Sequence, residues 1–154
     1  MIVVSDTSAI TALLQVGREA LLRDLYGEVL IPETVRMELL QTHSLLPSFI
    51  RSARVQSTAE VQRLATELDL GESEAIALAK ELNADLLLID ELEGRRVAFR
   101  EGLNFIGLLG VIVQAKRRGL VVSVRQIISD LEAMAGFRLS DEIKAVAFRK
   151  ADEL

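Results

Sequence analysis

The chain has no cysteine and no tryptophan, one histidine, two prolines and one tyrosine among 154 residues. Without cysteine there is neither a disulfide framework nor a thiolate nucleophile, and His43 alone cannot supply a nitrogen-rich zinc site. Any metal must therefore be a hard cation held by oxygen, since carboxylates are plentiful and softer ligands nearly absent. Tyr26 and five phenylalanines are the only aromatics, which excludes an extensive platform for stacking nucleic-acid bases. No long apolar run exists either. The longest uncharged stretch, Gly102 to Ala115, has 14 residues and includes three glycines, short of the roughly 20 needed to span a bilayer. The N-terminus Met1-Ile2-Val3-Val4-Ser5-Asp6 lacks the basic residues and apolar core of a signal peptide, so a cytoplasmic protein is expected.

Half of the residues are apolar and 27% are charged, with a mean hydropathy of +0.30. That mixture supports one buried core, and with no linker or repeat it predicts a single domain over residues 1–154. The net charge of −5 does not advertise a nucleic-acid binder.

Hydrophobic periodicity predicts alternating strands and helices. Ile2 to Ser5 reads as a strand, and Ala9 to Val16 as a helix stopped by Gly17. Val29 to Ile31 is a second strand, running into a helix that begins at Pro32 and continues through Glu33 to Gln41. His43 follows as a surface loop residue. Thr58 to Leu68 and Glu72 to Asn83 read as two helices separated around Asp69-Leu70-Gly71. Leu86 to Ile89 is an apolar strand suited to the middle of a parallel sheet. Then come a helix near Gly94 to Arg100, a strand at Asn104 to Ile106, and a helix from Leu108 to Arg118. The tail adds a strand near Leu120 to Val122 and two amphipathic helices, Val124 to Ala135 and Asp141 to Asp152, with Ser123 and Ser140 as caps. The class expected is α/β.

The chemistry-bearing residues are acidic. Asp6 and Asp90 each end an apolar strand, and parallel neighbouring strands would bring both carboxylates to the ligand-binding edge of the sheet. Either could instead cap a helix or turn. Glu38 lies about 60° around its helix from Val35, at the rim of the apolar face, where a solvated Glu paired with Arg36 is the simpler role. Asp69-x-x-Glu72 has capping-box spacing, which gives Glu72 a structural task and leaves Glu74 freer for chemistry.

These residues resemble, in order, the four acidic motifs of the PIN-domain superfamily. The matching stretches are the strand before Asp6-Thr7-Ser8, Val35-Arg36-Met37-Glu38-Leu39, Leu70-Gly71-Glu72-Ser73-Glu74-Ala75-Ile76-Ala77-Leu78-Ala79, and Leu88-Ile89-Asp90-Glu91 through Gly94-Arg95. Gly102 to Val111 and Ala115 to Gly119 further resemble a prokaryotic PIN-like branch, the VapC-type toxins, common in toxin–antitoxin pairs. The resemblance implies a three-layer α/β fold, with a mostly parallel sheet of four to five strands flanked by helices. It implies a ribonuclease in which Asp6, Glu38, Glu74 and Asp90 bind Mg²⁺ or Mn²⁺, with Ser8 and Glu72 in support. A hard cation at such a cluster would lower the pKa of its water and stabilise charge on the phosphate. Ser8 could equally cap the first helix. Two features depart from the pattern. Leu88 stands two positions before the fourth acid, where many PIN toxins have Ser or Thr, and the third motif offers both Glu72 and Glu74.

An RNA substrate would need cations. Arg95 and Arg96, closest in sequence to Asp90, are the candidates for phosphate contact, ahead of Lys116, Arg117 and Arg118 at a helix C-terminus. The toxin reading also implies a cognate antitoxin and a homo-oligomer such as a dimer. Two other Mg²⁺-using α/β classes fit worse: a haloacid-dehalogenase-like phosphatase needs a second Asp at position 8, and a phosphoacceptor receiver needs an acid pair beside Asp6. The remaining alternative is a catalytically silent PIN-like module acting through protein or RNA binding.

Overall fold

The computed structural model describes residues 1–154. Five short parallel strands form one sheet in the order β3-β2-β1-β4-β5: β1 (Val3–Ser5), β2 (Val29–Ile31), β3 (Ile50–Ser52), β4 (Leu86–Leu88) and β5 (Phe105–Ile106). All four pairings are parallel, with Val3, Val4 and Ser5 of β1 opposite Leu86, Leu87 and Leu88 of β4. The Asp6 amide adds a further rung, donating to the Leu88 carbonyl at 3.0 Å.

Successive strand residues point to opposite faces, and both faces here are apolar. Val3 and Leu88 join one core cluster, while Val4, Leu87 and Ile89 join the other. Helices α1 (Thr7–Gln15), α2 (Ala20–Tyr26), α3 (Glu33–Thr42), α7 (Leu108–Arg117), α8 (Val124–Met134) and α9 (Asp141–Lys150) contribute to the first cluster. Helices α4 (Thr58–Leu64), α5 (Leu70–Glu81) and α6 (Leu92–Arg100) pack in the second. The result is the expected three-layer α/β arrangement. Leu87 and Leu88 are wholly buried, so truncating either to Ala removes about 2–5 kcal/mol.

Local chemistry explains most boundaries. Gly17 takes φ +70 just beyond α1, a conformation that side chains disfavour. Ser123 and Ser140 cap α8 and α9 as expected, accepting from the amides of Gln126 and Ile143.

Two expectations need correction, and two elements were not foreseen. Leu120 to Val122 is not a strand: the Leu120 amide returns to the Ala115 carbonyl, and Lys116 Nζ donates to the Val122 carbonyl. Five residues, Arg118 to Val122, separate α7 from the Ser123 cap of α8, and these bonds turn the segment back onto α7 instead of pairing it with a strand. The helix after Ser57 ends at Leu64 rather than Leu68. Finally, α2 and β3 were not foreseen. Helix α2 buries Leu21, Leu22, Leu25 and Tyr26 at helical spacing, a readable signal, whereas β3 buries only Ile50 of its three residues and leaves almost none.

Candidate active site

Two strand ends set the site. Because β1 and β4 are parallel neighbours, Asp6 and Asp90 leave the sheet at the same edge, where the strand order switches direction on either side of β1. Asp6 occupies the N-cap position of α1 but its side chain makes no capping hydrogen bond. It is only 7% exposed. Burial, reinforced by the charges of Asp69, Glu38 and Asp90 and opposed by the Thr7 amide, pushes its carboxyl up to about 6.

Asp90 is held on one side only. Its Oδ1 accepts from the Leu108 amide at 2.9 Å and lies 3.5 Å from the Arg95 guanidinium. Its Oδ2 is buried with no hydrogen-bond partner. Burial raises its pKa despite the Leu108 amide and Arg95.

Helix α3 brings Glu38 to this edge. Thr7 Oγ1 donates to Glu38 Oε2 at 2.6 Å, which leaves Oε1 facing the first turn of α5. A Cβ built on Gly71 would lie 2.8 Å from Glu38 Oε1 and 3.7 Å from Asp6 Oδ1. The two carboxylates thus meet over a glycine whose missing side chain makes room for them.

Helix α5 adds Glu72. Its amide donates to Asp69 Oδ1 at 2.8 Å, the capping bond foreseen from the spacing. Of its own carboxylate, Oε2 is buried and unpartnered. Burial, together with the charges of Asp69 and Asp6, raises Glu72 to about 7. Asp6, Thr7, Ser8, Glu38, Asp69 and Glu72 all line one crevice of about 440 Å³, with the exposed Glu91 and Glu93 beside them.

Glu74 does not reach this crevice. Two residues along a helix are about 200° apart, and both Glu74 oxygens bind Thr34, Oε1 accepting from its amide at 3.1 Å and Oε2 from its hydroxyl at 2.9 Å. The expected preference for Glu74 over Glu72 is thereby reversed in position. Ser8 lies within α1 and lines the crevice, so it does not cap the helix. Thr7 and the crevice position of Asp69 were missed. Thr7 was legible as the hydroxyl residue directly beside Asp6; Asp69 was visible only as a cap.

The basic candidates are partly spent. Arg95 donates through Nε to the Ile89 carbonyl at 3.1 Å and sits beside Asp90. Arg96 pairs with Glu93 and Glu67, and Arg100 also binds Glu67. Lys116 and Arg117 tie α7 to the C-terminal segment through Glu153 and the Lys150 carbonyl, while Arg118 holds the Leu25 carbonyl.

A cavity of about 650 Å³ lies elsewhere, between α7 and α9. It is lined by Leu109, Val113, Ile143 and Val146 and gathers no carboxylate cluster.

No three histidine, aspartate or glutamate side chains stand close enough together to hold a metal ion as they are. The donor set nevertheless fits a hard divalent cation: all donors are oxygen, the carboxyls of buried Asp6 and Glu72 and half-buried Asp90 resist ionisation, and two buried carboxylate oxygens lack any partner.

A family model described as a PIN domain matches residues 2–153 of the chain. No curated protein and no solved structure gives a match.

Proposed function

The chain belongs to the PIN-domain family, whose members are in general metal-dependent nucleases, and on that premise we propose that it is a Mg²⁺- or Mn²⁺-dependent endoribonuclease. The observation that carries this reading is the convergence of Asp6, Glu38 and Glu72 on one crevice, beside Asp90 with its unpartnered Oδ2. Burial raises Asp6, Glu72 and Asp90, the first two with help from neighbouring acids, and a bound cation would offset both effects.

In this reading Asp6, Glu38, Glu72 and Asp90 are the ligands. A divalent cation held there would offset their charge and supply Lewis-acid chemistry for phosphodiester hydrolysis. Thr7 fixes Glu38 through Oε2, the Leu108 amide and Arg95 fix Asp90 through Oδ1, and Asp69 holds the first turn of α5 beneath Glu72. The Ser8 hydroxyl, on the crevice wall, orients water. Arg95 serves as the phosphate contact in preference to Arg96, whose guanidinium must first leave Glu67 and Glu93.

We further assign the protein as the toxin of a toxin–antitoxin pair, with an antitoxin and a second copy of the chain as partners, acting in the cytoplasm. The segments Gly102 to Val111 and Ala115 to Gly119 support this by resemblance. No helix is long and apolar enough to cross a membrane, which agrees with the location. The silent-module alternative is favoured by one observation, the present separation of the carboxylates. Calorimetry with Mn²⁺ decides: the nuclease binds Mn²⁺ and loses it in Glu38→Gln and Glu72→Gln, whereas a degraded site binds none.

A further inference from the structure

The two glutamates of the third acidic motif do different work. Glu72 lines the carboxylate crevice, while Glu74, two residues on, grips Thr34 with both oxygens. Thr34 is the second residue of α3, whose N-cap is Pro32. A proline has no side-chain acceptor for the free amides of a helix start. Glu74 supplies it from α5, so α3 is capped by another helix.

The cap has a geometric consequence. Glu38 follows Thr34 by four residues and lies on nearly the same face of α3. The bidentate bond therefore joins α3 and α5 within about one turn of both Glu38 and Glu72. Those helices approach closely there, since Glu38 Oε1 sits 2.8 Å from where a Gly71 Cβ would be. Crowded carboxylates repel one another, and the repulsion acts to part the helices that the Glu74–Thr34 bond joins.

We infer that Glu74 is a positioning residue: it locks α3 onto α5 so that Glu38 stays opposite Asp6 and Glu72, and it is not itself a ligand. This rests on the reading of the crevice as a metal site. Loss of such an outer partner lowers metal affinity by roughly 10- to 100-fold.

The test compares Glu74→Gln, Glu74→Ala and Thr34→Val by Mn²⁺ calorimetry and by hydrogen exchange of the α3 amides. A glutamine accepts from the Thr34 amide through its carbonyl and donates to the hydroxyl through its NH₂, so it keeps the lock without the charge. Glu74→Gln should retain Mn²⁺ affinity and α3 protection. Glu74→Ala should weaken Mn²⁺ binding by the stated factor and speed exchange in α3. Thr34→Val, which loses only the hydroxyl bond, should fall between them, and the double variant Glu74→Ala/Thr34→Val should be no worse than Glu74→Ala. A Glu74→Gln protein as deficient in Mn²⁺ as Glu72→Gln overturns the inference by making Glu74 a ligand. Unchanged exchange and affinity in Glu74→Ala overturn it by removing the lock. If the wild-type protein binds no Mn²⁺, the metal-site reading itself has failed and the inference about Glu38 falls with it. The exchange data then show separately whether the helices are joined.

Discussion

The hydroxyl of Thr7 and the carboxylate of Glu38 meet at 2.6 Å across 31 residues of chain, joining the first turn of α1 to the middle of α3. The bond leaves Glu38 one oxygen for the crevice and aims it at Gly71. Thr7→Val keeps the shape and removes the donor. It is expected to weaken Mn²⁺ binding by about tenfold or more while costing about 1 kcal/mol of stability. Thr7→Ser restores both. Calorimetry and thermal melts of the two variants check this; equal Mn²⁺ affinity in Thr7→Val and wild type would remove Thr7 from the site.

The raised acids make stability fall with pH when metal is removed. Asp6 moves from 3.8 to about 6 and Glu72 from 4.5 to about 7, so the folded state holds protons that the unfolded chain has released. In EDTA, stability therefore declines as pH rises from about 4 to about 7. Asp6→Asn removes its share of the penalty, up to about 3 kcal/mol. The variant should melt above wild type at pH 8 in EDTA and with it at pH 4. Added Mn²⁺ raises the wild-type melting temperature at pH 8 and leaves that of the variant nearly unchanged. Melting curves at the two pH values, with and without Mn²⁺, give the answer, and a wild type that gains stability with rising pH in EDTA contradicts the account.

Gly71→Ala should separate stability from function. Alanine is the better helix former by up to about 1 kcal/mol, and no unusual φ is required at this position. The new methyl, however, would press on Glu38 Oε1 at 2.8 Å, so that carboxylate must swing away. The metal-free variant should be at least as stable as wild type and bind Mn²⁺ more weakly. Unaltered Mn²⁺ affinity would show that Glu38 Oε1 takes no part.

Arginine substitutions distinguish Arg95, beside Asp90, from Arg96, which Glu67 and Glu93 hold. In an Asp6→Asn background that binds RNA without cutting it, Arg95→Ala should weaken binding and reduce the slope of log affinity against log salt by about 1. Arg96→Ala should change the slope less, because Glu67 and Glu93 already hold that guanidinium. Equal slopes for all three proteins count against Arg95 as a phosphate contact.

What could be read from the sequence was decided by period and by strand ends. The all-apolar run ending at Asp90 marked a central parallel strand and the β-branched run ending at Asp6 a strand, and the parallel pairing of β1 with β4 puts both acids at one edge. The choice within Gly71 to Glu74 was not legible, because spacing showed a cap at Asp69 but not which side of α5 faces the sheet. The capping bond to Asp69 uses the Glu72 backbone and leaves its Oε2 without a partner. Thr34, the residue that occupies Glu74, is 40 positions away, and nothing local in either segment announces the pairing. The strand expected at Leu120 to Val122 had the right composition, but its Leu120 amide and Val122 carbonyl are taken by Ala115 and Lys116 of α7.

The most direct test is cleavage of a panel of structured and single-stranded RNAs by the purified protein with Mn²⁺, beside EDTA and Asp6→Asn controls. The account predicts cleavage by the wild type that disappears in both controls. Cleavage that survives EDTA, or that Asp6→Asn retains in full, would contradict a metal-dependent site built on Asp6.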